Sequence, residues 1–226
     1  MQKSCLGTKK TPAAKKVSQN RFFLLDGLKN AWYNDITSFA GLLSAPVLQT
    51  LLPAGIKLGI NISPLHLHAE SFQQDLKHFA AAMPADHFKL VLEITERAMI
   101  DKNRSLENFD WLHEQGFEIA IDDFGTGHSA LIYLERFSFD YLKIDRGFVQ
   151  AIGTETVTSP VLDAVITLSR RLKLATVAEG VETQEQAEWL RDHGVNFLQG
   201  YWLSRPLTLE ALIAAHAQPA KYFPTR

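Results

Sequence analysis

The chain of 226 residues, 46% hydrophobic and 21% charged, has the make-up of an ordinary water-soluble protein with one substantial core. Its formal net charge of −2 hides an uneven layout: residues 1–30 hold seven Lys or Arg against one Asp, and the remainder is acidic. An acidic body excludes a nucleic-acid polymer held through clustered cations. The single cysteine, Cys5, excludes an intrachain disulfide framework. No apolar run is long enough for a membrane span or a signal core, so a cytoplasmic chain without a membrane segment is expected.

Residues 1–20 combine Lys, Thr, Ser, Gly and Pro with few large apolar groups; burial there cannot offset the entropy of ordering, and a flexible basic arm is expected. Residues 21–47 form an atypical N-terminal segment, in which Phe22 to Leu25 is a short apolar run and Phe39, Leu42 and Leu43 recur at helical spacing before Pro46. Residues 48–215 then follow one repeating plan, and 216–226 are an uninformative tail.

The plan is a short apolar run, a polar residue at its exit, and a helix-like segment. The first run, Ile56 to Ile62, exits at Asn61-Ile62-Ser63-Pro64, and Phe72, Leu76 and Phe79 mark the helix after it. The run from Phe88 exits at Glu93-Ile94-Thr95-Glu96; Leu106, Phe109 and Leu112 follow at helical spacing, with Gly116 as the stop. The central run ending at Ile121 exits at Asp122-Asp123-Phe124-Gly125-Thr126-Gly127 and is followed by a short helix through Leu131 and Leu134. Tyr141 to Ile144 exits through Lys143 and Asp145, and Ser159-Pro160 reads as the cap and first turn of the next helix. Leu174 to Ala178 exits at Glu179-Gly180-Val181-Glu182, Thr183 and Gln186 read as a capping box, and Val195 to Leu198 exits at Gln199. After Pro206 a last helix is expected from about Thr208.

Six strand-and-helix units without tight hairpin signals predict an α/β fold with a parallel sheet. In such a sheet the C-terminal strand ends converge on one site. Asn61, Glu93, Asp122, Lys143, Glu179 and Gln199 stand at those ends, and six polar exits in succession point to an active site.

Oxygen donors without Cys favour a hard cation, Mg²⁺ or Mn²⁺. Asn61, Glu93 and Asp122 suit one ion, while Asp122, Asp123 and Glu179 suit a second beside it. Paired ions fit in-line attack on a phosphodiester; Lys143 then orients water or neutralises developing charge, with Asp145 tuning it. Each residue also has a plainer reading: Asn61 as a turn residue, Glu93 and Glu96 or Glu179 and Glu182 as first-turn acids, Lys143 as a surface lysine, Gln199 as a capping amide. His66 and His68 read as surface histidines rather than ligands. Phe72, Phe79, Trp111 and Trp189 read as core, as do Tyr201 and Trp202, although an aromatic beside Gln199 can stack on a base.

The ordered segments Asn61-Ile62-Ser63-Pro64, Leu92 to Glu96, Asp122 to Gly127, Leu142 to Asp145, Ala178 to Thr183 and Gln199-Gly200-Tyr201 resemble those of the EAL domain, a family of bacterial cyclic di-GMP phosphodiesterases. The resemblance runs from about residue 48 to 207. It implies an EAL-type modified TIM barrel, two Mg²⁺ or Mn²⁺ ions and hydrolysis of cyclic di-GMP to pGpG, in a family whose members commonly form homodimers. By resemblance Asn61, Glu93, Asp122, Asp123, Asp145 and Glu179 are metal ligands or support them. Lys143, Glu179 and Asp123 are implied as catalytic, and Glu96, Glu182 and Gln199 as substrate or loop support. His128 and Ala130 depart from the family's usual loop residues.

A larger departure lies upstream. No Glu-Ala-Leu precedes Asn61; Glu210-Ala211-Leu212 lies in the expected terminal helix. The barrel is therefore expected to lack or replace its first two strands, either with Phe22 to Leu25 and Ile36 to Leu43 filling part of the gap or through truncation or an altered reading frame upstream of about residue 48. The alternative is a catalytically inactive EAL-like protein that binds cyclic di-GMP or a protein partner.

Overall fold

The structure is a computed structural model that describes residues 22–24, 54–82, 87–99, 102–124, 130–154 and 158–205. The basic arm, the helical spacing around Phe39, the loop 125–129, the terminal helix and the tail lie outside the described residues.

Seven parallel strands follow one another in chain order across a single sheet. They are β1 (Phe22–Leu24), β2 (Ile56–Ile62), β3 (Phe88–Thr95), β4 (Glu118–Phe124), β5 (Tyr141–Ile144), β6 (Ala175–Ala178) and β7 (Phe197–Leu198). The expected six units begin at β2. Upstream of them, the apolar run at Phe22 pairs with β2 in parallel, Phe23 opposite Leu58, so a strand of the atypical segment covers that edge, where unpaired backbone groups would otherwise be exposed. Between the strands run α1 (Pro64–Leu67), α2 (Phe72–Ala82), α3 (Lys102–Glu114), α4 (Ala130–Arg136), α5 (Arg146–Gln150), α6 (Thr158–Leu172) and α7 (Gln184–Asp192), with a 3-10 turn at Glu96–Met99. This is the parallel α/β half-barrel of a TIM-barrel-like fold. No described helix is long and apolar enough to cross a membrane.

Strand alternation sorts the side chains into two cores. Leu58, Ile60, Leu92, Ile94, Ile121 and Leu142 face the helices and pack against Phe72, Leu76, Phe109, Leu112 and Leu162. Val91, Ala120, Tyr141 and Val177 face the concave side and form a second, smaller cluster with Ala175 and Phe197. Covering both faces explains why the strands read as nearly continuous apolar runs. Trp111 and Trp189 pack against the larger core, as their spacing predicts.

Below the smaller cluster, at the N-terminal strand ends, a polar layer closes the concave face. Lys57 Nζ lies 2.5 Å from Glu118 Oε2, Tyr141 OH donates to the same oxygen at 2.7 Å, and the Lys57 ammonium lies 5.2 Å from the Tyr141 ring centre. Burial alone would raise the Glu118 carboxyl, but the hydrogen bonds from Lys57 and Tyr141 and the charges of Lys57 and Lys89 hold it below the usual carboxylate range. Burial and the hydrogen bond to Glu118 push the Tyr141 phenol up.

Local signals set the boundaries. Gly116, at φ +83°, ends the α3 segment in a left-handed turn closed by Phe117 N donating to Leu112 O at 3.0 Å. The capping box at Thr183 and Gln186 is formed. Ser159-Pro160 lies one residue inside α6, which starts at Thr158, so Ser159 is a first-turn residue rather than the cap. The strand expected from Leu174 begins at Ala175, because Lys173, at φ +61°, still completes the turn out of α6. Gly200 has another role. A Cβ there would stand 2.2 Å from Val181 O, and Val181 N donates to Gln199 O while Trp202 N donates to Val181 O, each at 3.0 Å. The segments that follow β6 and β7 are thereby pressed together backbone to backbone.

Candidate active site

The concave face carries a second polar layer at the C-terminal strand ends. Asn61 of β2 and Glu93 of β3 are register partners and so share a face. Asp122 is two residues beyond Ala120, Lys143 two beyond Tyr141, Glu179 two beyond Val177 and Gln199 two beyond Phe197. Period-two alternation therefore continues the inner side of the sheet from the apolar cluster into these side chains. Glu93, Asp122 and Asp123 lie within β3 and β4 rather than after them, because both strands run on past their apolar runs, to Thr95 and Phe124.

Three of the carboxylates meet on one ammonium. Lys143 Nζ lies 2.5 Å from Glu93 Oε2, 2.6 Å from Glu179 Oε1 and 3.0 Å from Asp122 Oδ1. Lys143 is 2% exposed and Glu93 1%, which rules out the surface-lysine and solvated-acid readings of both. Burial opposes the charge on Lys143, but Glu93, Glu179 and Asp122 outweigh it and push the ammonium's pKa up. Glu93 responds the other way: burial raises it to about 7 in spite of Lys143, with Asp122 and Glu179 adding to the rise. Burial likewise pushes Glu179 up.

The remaining predicted residues sit around this cluster in different ways. Asp123 is exposed, in a left-handed conformation at φ +54°, and its backbone N donates to Asp122 Oδ1 at 3.0 Å. The sheet register shifts between Ile121 and Phe124, and this bulge re-aims Asp123, which strict alternation would turn toward the helices. Glu96 is buried as the first residue of the 3-10 turn. Asp145, expected to tune Lys143, caps α5 by accepting from Gly147 N at 2.8 Å. Glu182 lies at the surface, where Arg146 Nη2 donates to it at 2.7 Å. Gln199 is half-buried.

Whether this donor set suits a hard cation is tested by its leftover atoms. Glu93 Oε1 and Gln199 Oε1 are buried oxygens without a hydrogen-bond partner; such orphaned acceptors cost stability unless something positive meets them. Three acids around one lysine also leave an excess of negative charge once all three are ionised. The chemistry fits Mg²⁺ or Mn²⁺. Among the described residues, however, no three His, Cys, Asp or Glu side chains are arranged to hold a metal ion.

Other expectations need correction. His66 and His68 are packed rather than superficial: the His66 ring lies edge-on to Phe72 with Nε2 3.3 Å from Asp75, and His68 Nε2 donates to Ala98 O at 2.9 Å. Trp202 packs against the core, but Tyr201 is 53% exposed, its ring 4.7 Å from the Arg205 guanidinium carbon. Sequence reasoning missed Arg146 and its short helix, although Asp145 followed by a glycine two residues later was the available capping signal.

The EAL domain family model matches residues 36–206. A protein of Escherichia coli K12 named as a probable cyclic di-GMP phosphodiesterase, PdeN, is 64% identical over 169 residues, covering 75% of this chain and 33% of its own length. The chain thus spans about a third of that curated relative. Among solved structures, the PaMucR phosphodiesterase in complex with c-di-GMP superposes with a TM-score of 0.68 at 34% identity, covering 78% of this chain and 80% of that one. A manganese and c-di-GMP complex of Klebsiella pneumoniae BlrP1 superposes with a TM-score of 0.65 at 31% identity, covering 76% of this chain and 44% of that one.

Proposed function

The chain belongs to the EAL domain family, and from that membership we propose that it is a metal-dependent phosphodiesterase module hydrolysing cyclic di-GMP to pGpG. The observation that carries the proposal is the meeting of Glu93, Asp122 and Glu179 on one buried lysine at the C-terminal ends of the sheet. The metal and c-di-GMP complex of BlrP1 supports the same reading.

In this proposal Asn61, Glu93 and Asp122 hold one Mg²⁺ or Mn²⁺, and Asp122, Asp123 and Glu179 the other, with Asp145 in support. The bound ions supply Lewis-acid polarisation of the diester and a water of lowered pKa. Glu179, on the loop leaving β6, orients that water. Lys143 brings its ammonium to the negative charge that develops on the phosphoryl oxygens. Gln199, with a free amide oxygen, contacts water or the ribose-phosphate edge, while Glu96 and Glu182 brace the loops beside Asp123 and Glu179. Exposed Leu131 and Ile132 on α4 favour a homodimer, and a cytoplasmic setting suits the chemistry.

The second reading is a protein that binds cyclic di-GMP without cleaving it. It is favoured by the occupation of the cluster's centre by Lys143 and by the absence of a Glu-Ala-Leu before Asn61. Purified chain with Mg²⁺ and cyclic di-GMP separates the two. Release of pGpG that falls by about 100-fold or more in Asp122→Ala supports the enzyme. Nucleotide binding without any turnover supports the binding protein.

A further inference from the structure

We propose that Arg146 is a positioning residue of the site, seating the loop that carries Glu179. The inference rests on the phosphodiesterase reading above, in which Glu179 orients the water, and names the side chain that holds the Glu179 loop. Two segments meet here in step. Lys143 and Arg146 stand three residues apart where β5 ends, and Glu179 and Glu182 three apart where β6 ends. Lys143 Nζ lies 2.6 Å from Glu179 Oε1, and Arg146 Nη2 donates to Glu182 Oε1 at 2.7 Å. Lys143 is buried, whereas the Arg146 and Glu182 side chains are 57% and 39% exposed.

Local structure fixes Arg146 first. It opens α5, which Asp145 caps by accepting from Gly147 N at 2.8 Å. With its amide oxygen turned to the guanidinium, Gln150 one turn on accepts from Arg146 Nε at 2.5 Å and Nη2 at 2.8 Å. The methylene stem held in this way lies across Gly180, where a Cβ would collide with Cβ and Cγ of Arg146. Gly180, at φ +65°, thus makes the turn and leaves the stem its place. Backbone bonds tie the loop on either side: Glu179 N donates to Ile144 O and Val181 N to Gln199 O, each at 3.0 Å, and Glu182 N to Gln186 Oε1 at 2.8 Å. Arg146 holds Gly180 itself and the Glu182 carboxylate. An exposed ion pair adds little to global stability, so the use of this one is local: it keeps Glu179 from swinging with its loop.

The test compares wild type with Arg146→Ala and Arg146→Lys in the full chain, with Mg²⁺ and cyclic di-GMP. In Arg146→Ala, kcat for pGpG release should fall about tenfold or more while KM stays within about twofold, because the loss lies in orienting water rather than in holding substrate. Arg146→Lys, which keeps the stem over Gly180 and a charge beside Glu182, should recover most of that loss. Backbone amide exchange, read without metal or substrate, is the second arm. The Glu179 and Val181 amides should exchange about tenfold faster in Arg146→Ala, with the β3 and β4 ladder unchanged. Wild-type kcat in Arg146→Ala, a loss carried by KM instead, or unchanged exchange at Glu179 and Val181 overturns the positioning role and leaves the phosphodiesterase reading intact. If wild type releases no pGpG, that reading falls, and the exchange rates alone decide whether Arg146 seats the loop.

Discussion

The concave face holds two lysine clusters, one at each end of the strands, the first part-buried and the second buried, and they solve the same electrostatic problem differently. At the N-terminal end Lys57 meets one carboxylate, Glu118, whose loaded oxygen also accepts from Tyr141. The charges balance and Glu118 ionises more readily than usual. At the C-terminal end Lys143 meets three carboxylates, Glu93 ionises with difficulty, and one of its oxygens has no partner. The contrast separates a structural plug from a site: balance marks groups that are finished with one another, and an excess of like charge marks a place built for something not supplied by the chain.

Lys57→Met offers the largest test of the balanced end. Removing Lys57, which is 12% exposed, leaves the 24% exposed Glu118 without its counter-charge and with the Tyr141 hydroxyl as its remaining side-chain donor. We expect a loss of about 2–3 kcal/mol in urea unfolding, with unchanged pGpG release per folded molecule. A specific fall in turnover would show that the lower cluster also serves the site.

The pH dependence of stability sharpens the other side. Burial pushes the folded Glu93 carboxyl up to about 7 from its ordinary 4.5. A carboxyl raised by folding stabilises fully below the lower value, and that contribution is lost as pH rises through the higher one. In chelator, the free energy of unfolding should therefore decline between about pH 5 and pH 8 by an amount on the order of 2 kcal/mol, and Glu93→Gln should flatten the decline. Saturating Mg²⁺ should flatten it too, since the metal requires the ionised form. An identical slope in wild type and Glu93→Gln would remove Glu93 as its cause.

The smallest effect is expected from Tyr141→Phe, which removes the second donor to Glu118 but keeps the ring. A loss of about 1 kcal/mol in the same unfolding experiment is expected. An effect as large as that of Lys57→Met would mean that the phenol, rather than the lysine, keeps Glu118 ionised.

Much of this was legible in the chain. Their place at the exits of apolar runs put Asn61, Glu93, Asp122, Lys143, Glu179 and Gln199 at strand ends, and helical spacing put Phe72, Leu76, Phe109 and Leu112 inside. What sequence did not disclose depends on register. Lys57 and Glu118 are 61 positions apart, and nothing local marks them as partners until β2, β3 and β4 align. That three acids share Lys143 is equally invisible, because each pair alone reads as a surface charge. Tyr201 and Trp202 show the limit at finer scale: adjacent aromatics on one turn, one packed and one exposed, are indistinguishable by composition.

The close approach of Gly200 to Val181 has a consequence for engineering. β7 has only two residues, too short a ladder to fix Gln199 by itself, so position 200 works as a spacer of zero thickness between two rim segments. Any side chain there would wedge them apart and carry Gln199 and the Glu179 loop in opposite directions. A library randomised at position 200 should return glycine almost alone, while neighbouring Tyr201 accepts many replacements.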